Sequence, residues 1–192
     1  LKEELAHRIA ACIMNGYGDG DAGKKNAESR GKIIPKVLQK ETLDQVERWL
    51  STEFEGRQFK SFVLIMAQND SVLTASWDGA KSLSLQRHDA PPAFFSSSSW
   101  NRENVIPWRE QKFRDWYEAD ASFTPRGIPG VHLLQDHRLV EWSPMMHREN
   151  SATRSITQVT FEGSAMRMRY WKCPLDESQV PERELELACN LT

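Results

Sequence analysis

The spacing of apolar positions changes several times along the chain, and each change marks an element. Residues 7–14 contain the short apolar run Ile9-Ala10-Ala11-Cys12-Ile13-Met14, which predicts a buried strand. Asn15-Gly16 ends it, and Tyr17 to Asn26, rich in Gly, Asp and Lys without periodicity, predicts a loop. Ile33, Ile34, Val37 and Leu38 share one helix face, with Pro35 tolerable only in the first turn. A second helix follows, with Thr42 as N-cap, Gln45 at the capping-box spacing, and the stripe Leu43, Val46, Trp49 and Leu50.

The period then drops to that of strands. Ser61 to Ala67 is continuously apolar and predicts a central strand. Asn69-Asp70 turns it into Val72 to Trp77, and Asp78-Gly79 turns that into Ser82 to Arg87. Pro91-Pro92 breaks the meander before Phe94-Phe95 and the serine run Ser96 to Ser99. Val105 to Tyr117 predicts a third helix with Ile106, Phe113, Trp116 and Tyr117 apolar; residues 119–150, interrupted by Pro125, Pro129 and Pro144, predict irregular chain. A closing hairpin is expected from 154–161 with 164–171. Strand meanders with helices clustered between them indicate an α+β fold built on antiparallel sheets. Residues 1–173 are expected as a single domain and residues 174–192 as an acidic, loosely attached tail, with a short helix over Arg183 to Ala188.

Composition narrows the function classes. The 192 residues carry a formal net charge of -2, with Lys and Arg spread along the chain, which gives no electrostatic case for a nucleic-acid binder. No apolar run reaches the length of a membrane-spanning helix, and the first residues lack a signal peptide's apolar core. Cys12, Cys173 and Cys189 are widely spaced and fit no metal-ligand pattern; their odd number predicts a reducing compartment, hence the cytoplasm. No glycine-rich phosphate loop is present, and no cofactor is predicted.

The candidate chemistry is sparse. His132, Asp136, His137, Glu141 and His147 crowd one stretch, but their spacings match no zincin or facial-triad pattern, so no metal is predicted. Cys12 inside an apolar strand reads as a small buried hydrophobe rather than a nucleophile. The serine run, flanked by Phe94, Phe95 and Trp100, is expected to be ordered against a core instead of serving as linker. Arg154 opens a strand pattern, where an arginine is usually solvated; turned inward it would be a fork-shaped donor to a carboxylate or an oxyanion. Most of the seven Trp are expected to pack in or at the edge of apolar stripes.

Several short motifs occur in a fixed order: Cys12-Ile13-Met14-Asn15-Gly16-Tyr17, Ser29-Arg30-Gly31-Lys32-Ile33-Ile34-Pro35, the run Ser96 to Ser99, Trp108-Arg109, Met146-His147-Arg148-Glu149 and Ala152-Thr153-Arg154-Ser155. In order and spacing, residues 7–171 resemble the NRDE family, whose eukaryotic branch includes transport and Golgi organisation protein two. That family is similar in pattern to N-terminal nucleophile (Ntn) hydrolases of the choloylglycine and penicillin V acylase group. The resemblance implies an αββα sandwich and a site made of Asn15 as oxyanion donor, Ser97 where the acylases carry a second asparagine, and Arg154 at their late strand arginine. The Asn-Arg-Asp-Glu motif and the early cysteine that precedes it are not in this sequence. The expectation is therefore an N-terminally incomplete domain lacking the first hairpin. Intact, it would hydrolyse a non-peptide C–N amide bond with a cysteine upstream of Leu1. The alternative is a non-enzymatic carrier or trafficking protein that binds an apolar small molecule in the same cleft.

Overall fold

A computed structural model describes residues 9–88, 92–119, 130–136, 138–162, 165–175 and 180–188. Helices and antiparallel sheets are both present, which agrees with an α+β fold. The chain divides into two compact units, one through Arg102 and one from Glu103 onward.

The first unit is organised by a four-stranded antiparallel sheet in the order β1 (Ala10–Asn15), β2 (Phe62–Gln68), β3 (Ser71–Trp77) and β4 (Leu83–His88). The meander expected from the turns is present, and its register pairs Phe62 with Trp77, Leu64 with Ala75 and Met66 with Leu73. Period-2 alternation sends these residues to one face, where all but Trp77 are fully buried. Helices α1 (Ile33–Leu38) and α2 (Leu43–Thr52) supply Ile33, Val37, Leu43, Val46, Trp49 and Leu50 to the same core.

The start of α2 follows the capping reading. Thr42 Oγ1 accepts from the Gln45 N–H at 3.2 Å, while Gln45 Oε1 accepts from the Glu41 N–H at 2.9 Å, one residue before the cap. The buried Gln68 at the end of β2 was not anticipated. Its amide accepts from Leu43 N at 3.0 Å and donates to Glu41 O at 2.8 Å, tying the helix start to the sheet.

On the other face of the sheet stand Cys12 and Met14 of β1 with Val63, Ile65 and Ala67 of β2, placed there by the pleat. Cys12 is exposed, contrary to the expected buried role, because β1 is an edge strand and position 12 alternates away from the core residues Ala11 and Ile13.

The second unit contains all but the first residue of α3 (Arg102–Glu118), which begins three residues before the predicted start and so places Pro107 inside the helix. The short α4 (Gly130–Leu133) and β5 (His147–Arg148) lie in the stretch expected to be irregular, and β5 pairs over two residues with β6 (Ser151–Ala152) just beyond it. Trp108 meets Trp142 edge to face at 6.2 Å, and Arg109 Nε donates to Trp142 O at 2.7 Å. Burial, with the positive charge of Arg148, lowers the Arg109 pKa.

The closing hairpin is β7 (Ser155–Glu162) with β8 (Ala165–Lys172), shifted by one residue from its predicted limits. A third strand, β9 (Arg183–Ala188), pairs with β8 and replaces the predicted short helix. Glu184, Leu185, Glu186 and Leu187 alternate with period 2, so the strand signal was present in the sequence. Ile156 and Trp171 form a small core with Leu133, Met145, Cys173 and Leu175. No described helix is long and apolar enough to cross a membrane.

Candidate functional site

β1 carries Asn15 to the end of the first unit's sheet, opposite Phe62. The next residue, Gly16, lies so close to β2 that an added Cβ would meet Phe62 N at 2.7 Å and the Ser61 carbonyl carbon at 2.8 Å. Its own N–H donates to Ser61 O at 3.0 Å. Tyr17 then takes a positive φ of 52°, an unusual conformation for a residue with a side chain. This tight exit leaves the Asn15 side chain exposed beside the following loop.

Two side chains orient that amide. Arg30 Nη1 donates to Asn15 Oδ1 at 2.8 Å, and Asn15 Nδ2 donates to Tyr17 Oη at 3.2 Å. With the carbonyl oxygen occupied by a cation, the NH₂ group retains a second hydrogen for another acceptor. Arg30 is held in turn by Asp21, Nη2 to Oδ2 at 3.6 Å. Asp21 accepts from both Ser61 N (2.5 Å) and Ser61 Oγ (2.8 Å), and Ser61 Oγ accepts from Gly18 N at 2.6 Å. The chain of contacts fixes the loop to the start of β2 and fixes Arg30 against Asn15.

Asn15 and Arg30 line a cleft of about 440 Å³, together with Lys24, Lys25, Glu28 and Lys60. This volume lies within the range of roughly 300–1,000 Å³ common for small-molecule sites. Lys24 is built into the wall, its Nζ donating to Arg57 O at 2.9 Å and Phe59 O at 2.8 Å. Asp21, Arg30 and Ser61 were not among the predicted site residues. Arg30 belongs to a motif that was recognised, but its contact with Asn15 spans fifteen residues and has no local signature.

The other predicted site residues occupy different settings. Ser97 is half-buried in the irregular segment 92–100, where neighbouring Ser98 is buried and donates to Trp100 O at 2.5 Å. The serine run is thus ordered. Arg154 belongs to the second unit, just before β7; its side chain is exposed and its carbonyl accepts from Cys173 N at 2.9 Å.

Nothing activates the described thiols. Desolvation by surrounding protein pushes the Cys12 and Cys173 pKa values up, even though Cys12 retains exposed surface. Among the described residues no three His, Cys, Asp or Glu side chains gather in a metal-binding arrangement; His137, one of the crowded candidates, lies outside them. Compared with protein-family models, curated proteins and solved structures, the chain matches none.

Proposed function

We propose that the chain is an NRDE-type domain that binds a small polar molecule in the cleft at the end of β1, with Asn15 donating to a carbonyl or oxyanion oxygen. The clamped amide carries this reading. Arg30 at 2.8 Å occupies Asn15 Oδ1, so a donor hydrogen remains for a ligand at the edge of the cleft. A donor fixed before the ligand arrives loses little freedom on binding. The resemblance adds Ser97, half-buried in the same unit, as a further candidate contact. An αββα sandwich remains part of the proposal; an antiparallel sheet with both helices on one face supports it.

Hydrolysis of a non-peptide C–N amide bond is the second reading, favoured because an oriented asparagine at a strand end suits an oxyanion donor. The resemblance gives this reading a cysteine upstream of Leu1 as nucleophile, whereas binding needs only the oriented donor and the cleft, so the carrier reading comes first. The test uses a panel of N-acyl amides, followed by calorimetry for binding and by amine release for turnover. Asn15→Ala is expected to weaken binding about tenfold or more, with an unchanged circular-dichroism melt. Equal binding by wild type and Asn15→Ala overturns the site. Amine release by the wild type would replace the carrier reading with the hydrolase.

A further inference from the structure

We infer that the cleft at the end of β1 is an oxyanion site, recognising a carboxylate or phosphate group on its small-molecule ligand through Arg30, Lys25 and Lys60. The inference rests on the reading of this cleft as a ligand site and adds the chemical class of the ligand.

Charge is the first argument. Four cationic side chains, Lys24, Lys25, Arg30 and Lys60, line the cleft against a single carboxylate, Glu28. Glu28 is already engaged by Lys32, Oε2 to Nζ at 3.0 Å. Lys24 serves two backbone carbonyls. Lys25 and Lys60 have no carboxylate partner among the described residues. The whole chain is slightly acidic at a net -2, so this excess is local and does not belong to a generally basic surface.

The state of Arg30 is the second, independent argument. Its Nη1 serves Asn15, and its nearest carboxylate, Asp21, is 3.6 Å away and accepts two shorter hydrogen bonds from Ser61. Its Nε is shielded from solvent and has no acceptor among the described residues. Native proteins seldom leave such a donor unmatched. An oxyanion against Arg30 balances the guanidinium charge that Asp21, at 3.6 Å, only partly offsets, and charge-assisted bonds of this kind are stronger than neutral ones. The cleft's volume of about 440 Å³ suits a small molecule with one such group.

The full chain is titrated with inorganic phosphate and, separately, with acetate at ionic strength held constant with sodium chloride, following backbone amide shifts by NMR. Saturable shifts at residues 24–31 and 60 are expected with one or both anions, and the stronger responder identifies the oxyanion. Lys25→Gln/Lys60→Gln should raise the apparent Kd about tenfold or more while retaining the wild-type spectrum elsewhere. The single exposed change Lys25→Gln provides a second variant if the pair perturbs folding. Absence of saturable shifts with either anion, or an unchanged Kd in the folded variants, overturns the inference. Its failure is separable from that of the ligand-cleft reading, which is tested by neutral amides on Asn15→Ala.

Discussion

Gly16 holds the site by having no side chain. A Cβ there would press on the backbone at Phe62 and Ser61, atoms that cannot move aside as a flexible side chain could. Gly16→Ala is therefore expected to cost about 1–3 kcal/mol of stability, an overpacking penalty, and to displace Asn15 with it. Urea denaturation of the variant checks the first effect and the binding assay the second. Asp78 lies beside the same loop, its carbonyl oxygen 2.5 Å from where a Cβ on Gly18 would stand. Its Oδ1 accepts from Ala80, Lys81 and Ser82 at 2.7, 2.9 and 3.1 Å, shaping a turn in which Gly79 takes a φ of 86°. Asp78→Asn keeps a neutral acceptor and should melt between wild type and Asp78→Ala, which removes all three bonds and should melt lowest. Equal melts for the two variants would show that the turn does not depend on this side chain. Arg154 is exposed and has no side-chain ion pair among the described residues. Arg154→Ala should accordingly leave the melt unchanged; a lowered melt would show that the side chain is held by a partner in the folded protein.

At the scale of elements, legibility followed the range of the interactions. Helix α2, the β2–β3–β4 meander and the β7–β8 hairpin were readable because caps, turns and alternation are local features. The anchoring of α2 by Gln68 and of Asn15 by Arg30 joins residues 25 and 15 positions apart, and no spacing rule announces such pairs. Cys12 was misread because its run is apolar throughout, and apolarity alone does not reveal that a strand is an edge. β9 differs: its two-residue period covers only Glu184 to Leu187, too short to separate strand from helix without the β8 partner. Its glutamates have a cross-strand function. Glu186 meets Arg167 at 2.8 Å, and Glu184 meets Arg169 at 3.4 Å. The Arg169 side chain is 7% exposed and that of Arg167 is 23%. Burial makes loss of the first more serious, although Glu184 is partly hydrated and keeps Arg167 Nε at 3.1 Å as a partner. Arg169→Ala is expected to destabilise by about 1–3 kcal/mol and Arg167→Ala by about 0–1 kcal/mol. Equal losses in urea denaturation would contradict a ladder graded by burial.

For the whole molecule, the shifted groups predict two separate steps in stability with pH. His132, half-buried in α4, has its pKa pushed below the ordinary 6.5 by desolvation alone. The unfolded chain therefore takes up that proton at higher pH than the folded chain does. Where the unfolded state binds more protons, stability rises with pH, so acidification from 6.5 towards the lowered folded value must destabilise the protein. Below that value both states are protonated and this contribution stops changing. Asp78 acts in a more acidic window. Backbone N–H donors, Ala80 foremost, hold its pKa below the ordinary 3.8, so its stabilising contribution is present above 3.8 and disappears as pH falls through the lowered value. Denaturation midpoints measured from pH 7 downwards should show an early decline and a later acid decline. His132→Gln removes the first ionisation and should flatten the early decline while leaving the acid one in place. If the variant and wild type lose stability in parallel between pH 6.5 and 5, His132 is not the group that titrates there.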